Sequence, residues 1–274
     1  MSAVELREAA GLAFREALPD GDGGGDRPPV LCVHGFPETS YMWHQLLPAV
    51  AVAGHRAVAP DLPGSGRSPA DPPNTWERLV ETLERFVAAL ELEPVVLVVH
   101  DWGGLIGLRW ACDNPGRVAA MVISDTGFFA DGRWSGMAES LRAPGTGEEL
   151  LAGLSRETFG QLMATSSAGI DAAAVDEYWL SLATPEGQAA QLEMYRSGDM
   201  EKLAPYEGRL GELALPTLLL WGARDPFAPV GGAHRFQRQI PGAELVIVPG
   251  TGHFVYADAP DRCASAVTGF FDTL

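Results

Sequence analysis

Three side chains suited to covalent catalysis, Asp101, Asp225 and His253, each follow a short apolar run of the chain. A carboxylate has an unperturbed pKa of about 3.9, so Asp101 is ionised near pH 7 and can attack a saturated carbon without a base. Water activated by His253 can then hydrolyse the ester that results, while Asp225 holds the imidazole and stabilises its positive form. The order along the chain is therefore nucleophile, acid and histidine.

Asp101 lies at an abrupt junction between an apolar run and a helical pattern. The segment from Val95 to Gly107 reads VVLVVHDWGGLIG. Its first part has no polar alternation, which predicts a parallel strand covered on both faces. Gly103 and Gly104 let this strand turn into a helix within a couple of residues, as in a nucleophile elbow, whose usual tip residue is serine. The alternative is that Asp101 only caps the helix by accepting its free backbone N–H groups.

Strand and helix patterns alternate over most of the chain. This alternation predicts an α/β fold with a mostly parallel, doubly wound sheet and a site at the carboxyl ends of the strands. We predict strands near Val4–Arg7, Leu12–Leu18, Val30–Val33, Arg56–Ala59, Val95–Val99, Ala119–Ser124, Thr217–Trp221 and Glu244–Val248. We predict helices at Tyr41–Val52, at Thr75–Leu92, directly after the elbow, at Gly231–Gln239 and from Asp261 onwards. A glycine-rich turn is predicted at Asp20–Asp26.

The strand patterns stop between about Gly127 and Arg209. Only helical segments broken by glycine, proline and serine remain there. We therefore expect a helical cap, residues 127–209, inserted between two strands of the sheet. Residues 1–126 and 210–274 would form the core domain, with its site roofed by the cap.

The composition of the 274 residues excludes several classes of partner. The formal net charge of −17 disfavours nucleic acid, anionic membranes and strongly anionic substrates. No apolar run approaches the roughly 20 residues that span a bilayer, and the charged N-terminus does not resemble a signal peptide. Cys32, Cys112 and Cys263 have neither disulfide nor metal spacing, and Asp61–Gly66 lacks a phosphate-binding fingerprint. We expect a cytoplasmic protein that needs no metal and no cofactor.

Five motifs resemble those of the α/β-hydrolase superfamily, in the branch of epoxide hydrolases and haloalkane dehalogenases. They are HGFPE at His34–Glu38, DLPGSG at Asp61–Gly66, HDWGG at His100–Gly104, and the loops that hold Asp225 and His253. The resemblance runs nearly from end to end and is least specific in the cap. It implies an α/β-hydrolase fold, an oxyanion hole made by the backbone N–H groups of Phe36 and Trp102, and a cis Phe36–Pro37 bond.

Asp125 is the alternative candidate for the acid. It follows the strand after the elbow, where some haloalkane dehalogenases carry their acid. Those enzymes lack an aspartate in the later loop, whereas this chain has Asp225. We therefore assign the acid to Asp225 and a capping or structural role to Asp125.

The resemblance favours an epoxide as the electrophile. Tyr195-Arg196 is similar to the pair that holds one of the two ring-opening tyrosines of epoxide hydrolases. The second tyrosine has no clear match, and Tyr178 and Trp179 are its stand-ins. Many dehalogenases have an asparagine donor where this chain has Phe36. Fluoroacetate dehalogenases have arginines near the nucleophile, where this chain has Trp102 and Leu105.

We expect a small, neutral, apolar substrate that reacts with water. Its predicted contacts are His34, Pro37, Trp102, Phe128, Trp134, Tyr178 and Trp179. Haloalkane dehalogenation stays open as the second function, with Trp102 as the indole donor to the halide. A ligand-binding protein without activity is the third, although such proteins usually lose one of the three reactive residues. The sequence leaves the choice between monomer and homodimer open.

Overall fold

A computed structural model describes residues 3–19, 27–134 and 136–274, so the turn predicted at Asp20–Asp26 lies outside the described residues. The described strands form one sheet: β1 (Val4–Ala9), β2 (Leu12–Ala17), β3 (Val30–Val33), β4 (Ala57–Pro60), β5 (Val95–His100), β6 (Val118–Ser124), β7 (Thr217–Gly222) and β8 (Glu244–Val248). Their order across the sheet is β1-β2-β4-β3-β5-β6-β7-β8. Strand β2 pairs antiparallel with β1 and with β4, and the other neighbours are parallel. The predicted mostly parallel sheet is confirmed.

The described α-helices are α1 (Leu46–Val52), α2 (Trp76–Ala89), α3 (Trp102–Asp113), α4 (Gly136–Arg142), α5 (Thr146–Ala152), α6 (Arg156–Ser166), α7 (Ala172–Trp179), α8 (Pro185–Ser197), α9 (Arg209–Glu212), α10 (Gly231–Gln239), α11 (Val255–Asp258) and α12 (Pro260–Phe271). The single helix predicted over Tyr41–Val52 is wrong. A 3-10 helix covers Ser40–Trp43, and α1 begins only at Leu46. Pro48 explains the break, because proline offers no N–H to the carbonyl of His44 and its ring clashes with that group.

The reactive loops begin where the central strands end. Every residue of β3 and β5 is buried. Helices cover both faces of the sheet, so these strands are apolar along their length. Polar side chains appear at their carboxyl ends, where β3 leads into His34 and β5 ends at His100 before Asp101.

Helices α4 to α9 lie between β6 and β7, and polar contacts join α7 and α8 to the core. Glu177 on α7 accepts hydrogen bonds from Arg15, at 3.0 Å, and from Arg67, at 2.8 Å to the second guanidinium nitrogen. Gln191 on α8 donates to the Gly64 carbonyl at 2.9 Å. Two further bonds join Glu193 to Asn74 and Ser197 to Trp76. These contacts fix α7 and α8 over the carboxyl edge of the sheet.

None of the helices in the described segments is long and apolar enough to cross a membrane.

Candidate active site

Asp101 stands on the sharp turn between β5 and α3. Its φ of 49° and ψ of −123° lie in a region that side chains other than glycine rarely adopt. The turn is this tight because the next residues are small: a Cβ on Gly103 would lie 2.1 Å from the Val33 carbonyl oxygen. The Asp101 side chain makes no capping hydrogen bond to α3. The alternative that Asp101 serves only as a helix cap is therefore wrong.

Both oxygens of the Asp101 carboxylate face polar groups. The backbone N–H of Phe36 donates to Oδ1 at 2.8 Å, and Nε2 of His253 lies 3.5 Å from Oδ2. Gly35 allows this approach, since a Cβ there would lie 2.3 Å from Oδ1. The N–H of Trp102 belongs to the first turn of α3, where N–H groups have no partner within the helix. The Phe36–Pro37 peptide bond is cis, as the resemblance implied.

Asp225, and not Asp125, is the carboxylate that binds Nδ1 of His253. Its Oδ2 lies 2.7 Å from Nδ1 of His253, and its Oδ1 accepts the N–H groups of Phe227 at 2.7 Å and Ala228 at 2.9 Å. Asp125 instead accepts the backbone N–H of Gly222 at 2.8 Å, which ties the end of β6 to β7. Asp101, His253 and Asp225 thus form one continuous polar series.

The three groups set one another's protonation. Burial alone would lower the pKa of His253, but its hydrogen bonds to Asp101 and Asp225 and their negative charges raise it well above its usual range. Burial would raise the pKa of both carboxyls, and contact with His253 lowers them instead. The free site therefore holds an imidazolium between two carboxylates. Asp125 has no such cation partner in contact, and burial raises its pKa well above the usual value.

A second buried polar pair, Glu38 and His100, lies beside His253. The rings of His100 and His253 are 4.7 Å apart, and Oε2 of Glu38 lies 3.3 Å from Nε2 of His100. The geometry falls short of a hydrogen bond, so these atoms have no partner among the described residues. Burial raises the pKa of Glu38 to about 8 and lowers that of His100 to about 3. Both groups are consequently neutral near pH 7.

We expect Glu38→Gln to remove part of the pH dependence of stability. The pKa of Glu38 rises from 4.5 to about 8 on folding, so its stabilising contribution is complete below pH 4.5 and is lost as the pH rises through 8. Each pKa unit corresponds to about 1.4 kcal/mol, so the free energy of unfolding of the wild type should fall by a few kcal/mol relative to the variant between about pH 5 and pH 9. Urea unfolding at several pH values measures the difference. Parallel curves for the two proteins would contradict a neutral, buried Glu38.

A cavity of about 500 Å³ opens above Asp101. This volume is in the range of sites for small organic molecules. Six residues selected from the sequence lie in its wall: Phe36, Pro37, Asp101, Trp134, Tyr195 and His253. Asp125 also lines it. The rest of the wall is mainly apolar and comes from α4, α5, α6 and the loops after β6 and β7.

Tyr195 is fixed in this wall by other aromatic rings. Its ring makes edge contacts with Phe36, at a centroid distance of 5.1 Å, and with Trp102, at 5.3 Å. Trp134 packs on it at 5.7 Å. Burial and the nearby charge of Asp101 raise the pKa of Tyr195 well above 10. The phenol therefore keeps its proton and can donate it as a hydrogen bond.

Three predicted substrate contacts are corrected because the structure gives their side chains other partners. His34 is fully buried, and its Nε2 accepts the N–H of Leu62 at 3.0 Å. Phe128 packs against Tyr206 at 5.8 Å. Trp102 stacks on Trp134 at 5.2 Å, and it is Trp134 that lines the cavity.

The two stand-ins for the second tyrosine also lie outside the wall. Tyr178 is 1% exposed, so it packs in the core, and this burial raises its pKa well above the usual value. Trp179 packs on Phe159 at 5.7 Å. Phe159 itself lines the cavity. Tyr195 is thus the tyrosine that the described part of the chain contributes to the wall.

Most of the apolar wall was not identified from the sequence. It includes Phe129, Leu141, Leu151, Leu154, Phe159 and Met163. Their spacing on short helices is the same as that of residues that only fill a core, so periodicity carries no signal that separates the two.

Comparison with known proteins identifies the fold and the class. The family described as alpha/beta hydrolase fold matches residues 28–260. A haloalkane dehalogenase of Psychrobacter cryohalolentis is 30% identical over 273 residues, covering 91% of this chain and 85% of the relative. The structure of haloalkane dehalogenase DbeA from Bradyrhizobium elkani matches with a TM-score of 0.84 at 20% identity, covering 100% of this chain and 98% of that chain. An epoxide hydrolase from Vigna radiata matches with a TM-score of 0.79 at 23% identity, with the same coverage.

The chain therefore belongs to the α/β-hydrolase fold family. It is a hydrolase of that fold, as the order of Asp101, Asp225 and His253 predicted. The relatives carry names from both arms of the predicted branch, so the electrophile has to be argued from the residues around Asp101.

Proposed function

We propose that this protein hydrolyses epoxides to vicinal diols through an ester on Asp101. The observation that carries the proposal is Tyr195, a protonated phenol in the wall of the cavity that contains Asp101. An opening epoxide leaves an alkoxide on the same molecule, and this oxygen needs a proton donor. A phenol with a pKa near or above 10 can supply that proton, whereas an indole N–H cannot.

In the first step an Asp101 oxygen attacks one carbon of the ring. The bond between this carbon and the ring oxygen breaks, and the oxygen keeps the electron pair and takes the proton of Tyr195. Tyr195 regains its proton from solvent, and solvent in turn receives the proton that His253 releases before the second step. Because Asp101 is already ionised, this step needs no base, and Phe36 N–H at 2.8 Å holds the carboxylate in place.

In the second step water hydrolyses the ester. Esterification removes the Asp101 charge, which is one of the two charges that raise the pKa of His253, so the imidazolium can release its proton and act as a base. His253 takes a proton from water, and the hydroxide attacks the ester carbonyl. The N–H groups of Phe36 and Trp102 stabilise the oxyanion, and Asp225 stabilises the imidazolium. Collapse breaks the bond between the ester carbon and the substrate oxygen, which takes the proton of the imidazolium to complete the diol. The Asp101 carboxyl group then gives its proton to His253, which restores the starting charges.

Haloalkane hydrolysis is the second candidate, and the names of the relatives favour it. The indole N–H of Trp102 makes no well-formed hydrogen bond among the described residues, although it interacts with the Tyr195 hydroxyl. It is the candidate donor to a halide, but the Trp102 ring lies outside the cavity wall. A second indole donor is missing nearby, because the N–H of Trp134 already donates to the Gly198 carbonyl at 2.9 Å. Phe36 also places an apolar ring where a second side-chain donor was expected. At most one indole N–H is therefore available to a halide. For this reason we rank epoxide hydrolysis above haloalkane hydrolysis.

We expect Tyr195→Phe to slow diol formation from styrene oxide by about 10²–10³-fold, the usual effect of losing one donor to a developing oxyanion. The cavity shape is nearly unchanged, because only the hydroxyl is removed. Diol production is measured beside bromide release from a bromoalkane for the wild type, Tyr195→Phe and Trp102→Phe. Full epoxide activity in Tyr195→Phe, or bromide release that depends mainly on Trp102, would overturn the epoxide assignment in favour of the haloalkane.

A further inference from the structure

The cavity wall continues onto the protein surface as an apolar rim. Four large side chains that line the cavity are also exposed, with exposed fractions between 36% and 46%: Met137, Leu150, Leu162 and Phe227. Large apolar side chains grouped at one opening are characteristic of ligand-binding surfaces. The reaction at Asp101 does not use them, so they are available to the part of a substrate that lies farthest from the reacting carbon.

One cation, Arg133, lines the same cavity and is exposed. Its guanidinium has no hydrogen bond or ion pair with any residue in the described ranges. The arginines around it are engaged: Arg235 pairs with Asp131 at 2.6 Å, and Arg142 donates to the Gly198 carbonyl at 2.7 Å. Asp131, the acid closest to Arg133 in sequence, is thereby already paired. Arg133 is therefore the cation that the described part of the cavity lining can offer to an anionic ligand.

We propose that the cavity takes an extended apolar molecule whose reactive carbon lies at Asp101 and whose far end carries a carboxylate held by Arg133. The proposal rests on the function proposed above and specifies its substrate class. It differs from the small, neutral substrate expected from the sequence.

Charge determines which end of such a molecule lies at Asp101 and which end lies at Arg133. At the base of the cavity an anionic group would face the carboxylate of Asp101, whereas the guanidinium of Arg133 offers a fork of N–H donors that matches a carboxylate. The apolar stem between the two ends would pack on the walls from α4, α5 and α6. The net charge of −17 repels anions in general, so a single carboxylate is accommodated only next to a local cation.

The test compares ω-epoxyundecanoate with its neutral methyl ester. For the wild type, we expect a lower KM for the carboxylate. In Arg133→Gln this KM should rise by about fivefold, as expected for a partly exposed ion pair, with kcat and the methyl ester kinetics unchanged. Arg133→Lys should retain part of the preference, and it should weaken at high salt. Arg262→Gln, which removes an exposed arginine on α12, is the matched control and should behave as the wild type.

Binding of undecanoate separates this proposal from the epoxide assignment, because undecanoate cannot react. Calorimetry should show tighter binding of undecanoate than of undecanol, and Arg133→Gln should remove the difference. If the protein opens neither epoxide but binds undecanoate through Arg133, the epoxide assignment fails and the substrate class stands. If the methyl ester and the carboxylate bind equally well to both proteins, the role of Arg133 is overturned, whatever the electrophile.

Discussion

Replacement of His253 by glutamine is expected to stop the reaction after its first step and leave an ester on Asp101. Attack on the substrate needs the ionised carboxylate and its Phe36 N–H contact, and the variant keeps the contact. It loses the imidazolium that lowers the pKa of Asp101, so the adduct should form more slowly than in the wild type and faster as the pH rises. Hydrolysis of the ester needs a base, which glutamine cannot provide. Steady-state turnover should fall by about 10⁴-fold or more. Intact mass spectrometry should show one added epoxide per protein, and peptide mapping should place it on Asp101.

Two variants serve as controls for this result. Asp101→Ala should give no adduct, because it lacks the attacking oxygen. His234→Gln, which changes an exposed histidine on α10, should turn over like the wild type. If His253→Gln forms neither an adduct nor a product burst with a substrate that the wild type hydrolyses, the division into two steps is wrong.

The second large effect is expected for Asp225→Asn. Asp225 lies 2.7 Å from Nδ1 of His253, and its charge helps to raise the pKa of that histidine. An asparagine keeps the size but loses the charge and the purely accepting character that orients the imidazole. A loss of about 10⁴-fold in kcat is typical of this change.

Asp125→Asn is the matched control for the acid. Burial raises the pKa of Asp125 well above its usual value, so it is already neutral and asparagine is a close substitute. Its bond to Gly222 N–H can be kept by the amide oxygen. Rates for both variants on one substrate decide the point, and a larger loss in Asp125→Asn would move the acid to that residue.

The polar series and its fold could be predicted because the signals are local. A uniformly apolar run followed by Gly103 and Gly104 specifies β5, the turn and α3 without reference to the rest of the chain. Asp225 and His253 each follow a strand, and parallel strands bring their carboxyl ends to one edge. The choice of Asp225 over Asp125 as the acid rests on the contact between Asp225 and His253. That contact is a three-dimensional distance, which the order of residues along the chain does not give.

The residues of the cavity wall were harder to predict, because of two similar aromatic residues one faces the cavity and the other packs in the protein interior. Phe128 and Phe129 are adjacent, but Phe128 packs on Tyr206 and Phe129 faces the cavity. Trp102 and Trp134 are similar in kind, and their stacking leaves only Trp134 in the wall. Composition and spacing do not record which side of a short helix or loop turns inward. That choice depends on tertiary contacts between residues far apart in sequence, such as Phe128 with Tyr206 and Trp102 with Trp134.

In the helices between β6 and β7, the residues that bind the core domain differ from the residues that line the cavity. Polar bonds from Glu177 and Gln191 hold α7 and α8 to the core, whereas apolar side chains of α4, α5 and α6 face the cavity. Laboratory evolution toward a new substrate can therefore vary the apolar side chains of α4, α5 and α6, while Glu177 and Gln191 keep α7 and α8 in position. Changes in substrate specificity and changes in stability should therefore arise from largely different residues. Tyr195 is the exception, because it lies on α8 and also lines the cavity.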